Sequence, residues 1–216
     1  MDLPPPLDLL PALSTGLGIT LALTLGGAVL AVLTALSVGL LRISRRRWVR
    51  AAAISYVEFF RGTSALVQLF WVYFALPLLG VELPALTAGM LVLGLNAGAY
   101  GAEVVRGAMD AVPHEQWEAA HALGFSRRRM IWNIMLPQAL PAMLPPAGNL
   151  LVELLKNTAL VSMVTLADLT FRAQTLRAAT LRTGEIFALV LLLYFAIALV
   201  LTRAMRAVER RVAIAR

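Results

Sequence analysis

The sequence predicts an all-α integral membrane protein with five transmembrane helices, its N-terminus outside and its C-terminus inside. Three observations carry this. Of 216 residues, 60% are hydrophobic and only 14% charged, against about 45–50% and about 25% in a soluble domain. Charge-free runs long enough to cross a bilayer recur along the chain. The arginines gather between alternate runs. The absence of cysteine excludes disulfides, thiolate metal sites and cysteine nucleophiles together. The net charge of +7 does not read as a nucleic-acid footprint. The basic residues stand in short blocks between apolar runs, as in the cytoplasmic loops of membrane proteins.

Residues 1–13 form a Pro-rich exterior tail. The first charge-free run, Leu9–Leu41, follows Asp2 and Asp8. It is too long for a cleaved leader and lacks a basic region before it, so it reads as a retained helix of about Ser14–Leu41. The second run is Gly62–Val81 and the third Leu83–Ala102, joined by a short outside turn near Gly80. The fourth, Met130–Val152, contains Pro137, Pro141, Pro145 and Pro146 and is expected to break or kink. Residues Thr165–Glu185 are more polar and suit an exterior loop with a short helix. The fifth run is Ile186–Thr202, and Arg203–Arg216 extends it as an amphipathic tail whose arginines reach anionic lipid. Fifteen arginines fall on the side of the loops after runs one, three and five, and three on the other side. The positive-inside rule therefore places the C-terminus in the cytoplasm. A single membrane domain spans residues 14–211, with a cytoplasmic loop at about 108–136 and a short tail at 212–216.

Enzyme chemistry is missing its usual marks. There is no phosphate-binding loop, and the one lysine is Lys156. No nucleophile elbow and no H-E-x-x-H pair occurs. His114 and His121 lie seven apart in a cytoplasmic loop without further ligands, so no metal, cofactor or catalytic residue is expected.

The informative stretch is Val112–Ser126. Pro113 suits a first helical position, and Glu115 and Glu118 suit the positive end of a helix dipole. Ala119, Ala120 and Ala122 add helix propensity, and Gly124 is placed to end the helix with positive φ. A small-faced helix with one aromatic, Trp117, suits either a partner's groove or an ordinary inter-span connection.

Glu118-Ala119-Ala120, then Gly124 after three residues, then Ile134-Met135-Leu136-Pro137 resembles the EAA loop of ABC importer permeases. Tyr56–Gln68, Asn96–Gly107 and Leu154–Leu160 resemble segments of the polar amino-acid uptake (His/Glu/Gln/Arg) permeases, with Ser64 where that family usually has proline. The resemblance covers about Gly16–Arg211. Within the family, Gln138–Pro146, Leu166–Phe171 and Gly184–Phe187 look closest to the ectoine/hydroxyectoine permeases. The resemblance implies a MetI-like ABC permease fold in the bacterial plasma (inner) membrane. It implies a cytoplasmic ABC ATPase dimer, a second permease subunit of the same or a homologous chain, and an extracytoplasmic solute-binding protein. Trp117, Glu118, Ala119, Ala120 and Gly124 would couple to the ATPase. Arg127 and Arg128 either pair with its acidic residues or form a solvated positive-inside block. The implied cargo is a polar zwitterion, with ectoine or hydroxyectoine favoured over polar amino acids. A secondary transporter or channel working without ATPase is the different-class alternative.

Two intramembrane clusters stand out, since unpaired polar groups at membrane depth are costly. Asn96, Tyr100 and Glu103 share one helix face, and Asn149, Glu153, Lys156 and Asn157 another. Glu153 and Lys156 are spaced for an i,i+3 pair. Either these groups hold helices together or they form a midplane site for a zwitterion. Gly94 and Gly98 mark close helix packing.

Overall fold

The computed structural model describes residues 6–214; the first five residues of the predicted exterior tail, and Ala215 and Arg216 of the cytoplasmic tail, lie outside the described residues. All regular structure among the described residues is helical. The chain runs α1 (Leu10–Arg42), α2 (Arg47–Gly62), α3 (Ala65–Phe70), α4 (Ala85–Asp110), α5 (His114–Ala122), α6 (Arg127–Met130), α7 (Leu136–Asn157), α8 (Leu169–Thr180) and α9 (Thr183–Ile214). Three helices are long and apolar enough to cross a membrane alone: Leu7–Arg42, Ala85–Asp110 and Thr183–Val212. Two bent pairs raise the number to as many as five.

The central seam joins α1 to α4 through glycine. A Cβ at Gly94 would sit 2.9 Å from Leu30 Cβ, and one at Gly98 would sit 2.8 Å from Thr34 Cβ. Gly101 faces Ala35, and Gly39 faces Val105. Lipid tails are as apolar as the helices, so close backbone approach supplies the attraction that water supplies elsewhere. Residue numbers rise together along both helices, so α1 and α4 run parallel. The chain between them must therefore return the full height of the seam.

That return is made in two pieces, not in one straight helix from Gly62. The helix α2 breaks at Thr63 and Ser64, and the following segment, Ala65–Leu79, leaves at 100°. Ser64 has φ −70°, the angle a proline fixes, so the departure from the family residue is absorbed. The break is pinned by side chains. Gln68 Nε2 donates to Phe60 O at 3.1 Å and to Thr63 Oγ1 at 2.6 Å, and Asn96 Nδ2 donates to Phe60 O at 2.9 Å. The ascending segment passes from α3 through a π-helical turn, Trp71–Ala75, to a 3-10 turn, Leu76–Leu79, and Gly80 closes it with φ +85°.

The fourth run also differs from expectation. Pro141, Pro145 and Pro146 lie inside α7, which continues unbroken to Asn157. Each proline removes one backbone donor and crowds the carbonyl one turn earlier, yet the helix runs through all three, with Pro145 and Pro146 on its exposed side. The irregular backbone appears at the ends instead: a π-helical turn at Ile131–Met135 and a 3-10 run at Thr158–Val164, closed by Thr165 at φ 60°. The α7 helix runs antiparallel to α4 and α9, with Gly148 near Met205 and Lys156 near Tyr194.

The polar stretch Thr165–Glu185 holds the expected short helix, α8. Asp168 caps it, accepting from Phe171 N at 2.8 Å, and Thr20 Oγ1 accepts from Leu169 N at 3.1 Å. Leu9, Leu13, Leu169, Ala173 and Ile186 form an apolar cluster beneath it. Arg182 ties Asp8, at 2.7 Å, to Glu185. These carboxylates, Glu185 first and then Asp8, hold the guanidinium above its ordinary pKa.

Candidate functional site: a coupling helix and an uncovered polar stripe

The loop near residues 108–136 presents α5. Pro113 precedes the helix as its cap residue, one position earlier than the sequence suggests. The far end is a Schellman turn: Gly124 N donates to His121 O at 3.0 Å and Phe125 N to Ala120 O at 3.1 Å. Gly124 has φ +74°, as its place in the sequence requires.

Inner and outer faces of α5 divide cleanly. Ala120 is buried, and Trp117 packs half-buried against the cluster of Met109, Met130 and Met135. The aromatic thus seats the helix on its own chain, and it also lines the cleft beside α5. The 117/120 spacing, three residues on one face, is the signal for this. Glu118 and Ala119 face outward, and Glu118 Oε1 lies 3.2 Å from His114 Nδ1. Leu123, 76% exposed, is an outward apolar residue the sequence reading missed, because only the capping turn swings it away from the inner face. Beside α5 lies a cleft of about 380 Å³ lined by Arg45, His114, Trp117, Glu118, His121 and Arg127. Among the described residues no three potential ligands gather for a metal.

Arg127 and Arg128 part company. Arg127 Nη2 donates to Ile43 O at 2.5 Å, a cation on the C-terminal carbonyls of α1. Arg128 is exposed and forms no ion pair among the described residues.

The intramembrane residues also separate. Asn96 is buried in the hydrogen-bond network of the α2–α3 break, with Gln68 Oε1 at 3.2 Å. Gln68 carries that network and escaped the sequence reading; a glutamine inside an apolar run was the available signal. Glu103 joins Arg42, Arg61 and Arg106 in one cluster, with Arg106 Nε at 2.9 Å. Tyr100 lies beneath the Arg61 guanidinium, 5.3 Å from ring centroid to carbon. The arginines neutralise the carboxylate and tie α1, α2 and α4 together.

Asn96 and Tyr100 nevertheless line one small cavity with Glu153 and Asn157, between α4 and α7. Its volume, about 10 Å³, is at the limit for one water. Glu153 and Lys156 do not form the anticipated ion pair. Both are exposed, as is Asn149, and they continue the uncovered stripe of Pro145 and Pro146 along α7. Neither charge has an ion-pair partner among the described residues.

Long apolar helices around a glycine seam, with one short capped helix presented on an arginine-rich loop, define a multi-helix membrane protein with a helix set out on a loop. The chain belongs to the family of binding-protein-dependent transport system inner membrane components, whose model matches residues 31–214. It has the all-helical, MetI-like ABC permease fold and is a multi-pass protein of the bacterial inner membrane. It is 45% identical over 211 residues to a probable amino-acid ABC transporter permease protein, y4tF, of Sinorhizobium fredii, with 95% of this chain and 89% of that one covered. It is 37% identical over 198 residues to the glutamine transport system permease protein GlnP of Escherichia coli, covering 89% and 90%. The crystal structure of an amino acid ABC transporter with histidines superimposes with a TM-score of 0.87 at 35% identity, over 95% of this chain and 96% of that one. Members of this family are transporter subunits and not enzymes.

Proposed function

We propose that this chain forms the translocation pathway for a polar amino acid in a binding-protein-dependent ABC importer. The observation that carries the proposal is the uncovered stripe of α7. A carboxylate and an ammonium stand exposed at membrane depth, one turn apart and unpaired, and such groups face water or a protein partner and not lipid. In the assembled transporter that partner is a second permease subunit across a shared path. Glu153 takes the cargo's ammonium group and Lys156 its carboxylate, with Asn149 alongside. Asn96, Tyr100 and Glu103 support the path from behind.

The ectoine preference finds no support in the relatives named above, whose cargo is amino acids; a polar amino acid has the same zwitterionic ends and agrees with them. The parallel α1 and α4 joined by a returning segment, and the arginine asymmetry, support a reading of five spans with the N-terminus outside. The coupling face is Glu118, Ala119 and Leu123, held by Trp117, Ala120 and Gly124, with Arg128 free to meet acidic groups of the ATPase dimer. An external binding protein delivers the cargo.

The test is uptake into proteoliposomes holding permease, ATPase and binding protein, with labelled glutamine, arginine, histidine and ectoine. Glu153→Gln is expected to abolish uptake of the preferred amino acid while the ATPase still copurifies. Normal uptake with only a lower melting temperature would place the pathway elsewhere.

A further inference from the structure

The helix α2 has three distinct faces. Val49, Ala53, Tyr56, Val57 and Phe60 pack inward. A second face carries Arg47, Arg50, Glu58 and Arg61. Between them, on the outside, lie Trp48 and Phe59, 70% and 59% exposed.

The 100° break after Gly62 lays α2 close to the membrane plane once Ala65–Leu79 crosses the bilayer. Helices that lie in the interface have this division: basic on one side, Trp and Phe on the other. Arg45 and Arg46 precede α2 directly. Together with Arg47 and Arg50 they form a block of four arginines. None of the four has an ion-pair partner among the described residues, whereas Arg61 is already engaged by Glu103. Four adjacent unpaired arginines at the cytoplasmic end of a span match the charge of an anionic leaflet. The neighbouring aromatics sit where rings prefer the headgroup level.

We propose that Arg47 and Arg50 on α2, flanked by Trp48, bind the phosphodiester headgroup of an anionic phospholipid from the cytoplasmic leaflet. The occupant is lipid and not the ATPase because the basic face adjoins an exposed aromatic face, which needs an apolar phase. The bound lipid bears on transport through α4. Tyr56 Oη donates to Leu95 O at 2.8 Å and Asn96 Nδ2 to Phe60 O at 2.9 Å, and α4 leads within four residues to α5. Lipid that holds α2 steadies the helix from which the coupling loop hangs.

Native mass spectrometry tests this on the permease–ATPase complex released from membranes of equal phosphatidylglycerol and phosphatidylcholine. An arginine near an anionic surface contributes about fivefold in affinity, so Arg47→Gln/Arg50→Gln is expected to weaken phosphatidylglycerol retention by roughly 30-fold. Arg172→Gln/Arg177→Gln removes the same charge from exposed positions of α8, away from the cytoplasmic leaflet in the five-span arrangement, and is expected to leave that retention unchanged. Equal loss in both variants, or no loss in either, overturns the proposal. Loss of the ATPase with lipid retained assigns the face to the ATPase and also overturns it.

A second measurement keeps the parental arginines. Brominated phosphatidylglycerol is expected to quench the parental protein more than Trp48→Phe, and brominated phosphatidylcholine to quench both alike. Equal quenching of the two proteins by brominated phosphatidylglycerol refutes the site. Both readouts are of binding, so a failure of the transport reading leaves this proposal standing.

Discussion

Gly124 offers the sharpest test of how the coupling helix works. Its φ of +74° lies in the left-handed region, where an L side chain costs about 1–2 kcal/mol. Asparagine tolerates that region best, alanine less, and a β-branched valine least. A Cβ at Gly124 meets nothing within 4 Å, so no steric cost inside the chain adds to the backbone term. The total is well below the roughly 5–15 kcal/mol that holds a folded domain together. Every variant should therefore fold and insert. The cost falls on the Schellman turn, where about 1–2 kcal/mol lowers the capped population by roughly 5- to 30-fold. Leu123 and the outward face of α5 then lose their fixed placement. The assay is ATP hydrolysis by the reconstituted complex, stimulated by loaded binding protein. Stimulation is expected to fall in the order Asn, Ala, Val. Gly124→Asp brings a charge to the contact as well, and should abolish transport and weaken ATPase copurification. If Gly124→Val keeps the parental stimulation, the turn does not set the coupling surface and the argument fails.

Membrane orientation is open to labelling, because the chain has no cysteine of its own. A cysteine at exposed Ser126 should react only from the cytoplasm, and one at exposed Thr180 only from outside; the reverse pattern would invert the topology. The α1–α4 seam predicts a contrast within one helix. Gly98→Ala must push against Thr34 and the Ala31 carbonyl, 3.2 Å from the new Cβ, and is expected to cost about 1–3 kcal/mol. Gly107→Ala meets nothing within 4 Å and should match the parent or exceed it slightly. Thermal unfolding in detergent compares the two, and equal melting temperatures would mean the glycine contacts are not what closes the seam.

Much of this protein was legible before any coordinates. Hydropathy located α1, α4 and α9, because a bilayer demands long uninterrupted apolar helices and tolerates little else. The end of α5 at Gly124 and the short helix α8 were also legible, because helix stops and polar loops are written in local residue chemistry. The EAA loop marked the family because its pattern lies in a fixed order along the chain.

Tertiary structure decided what depends on neighbours distant in sequence. Glu103 shares a helix face with Asn96, yet arginines from α1 and α2 claim it, and spacing along α4 is silent about them. Arg127 looked free until Ile43 of α1 came within 2.5 Å. Trp117 packs half-buried against a methionine cluster contributed by three other segments, which spacing along α5 does not show. The prolines of α7 do not end it: the helix runs through Pro141, Pro145 and Pro146 to Asn157. Glu153 and Lys156 stand in helical register for a pair, but i,i+3 spacing only permits contact; the uncovered side of α7 leaves both charges open to another partner. Periodicity determines which residues can share a face, and only packing determines what that face meets.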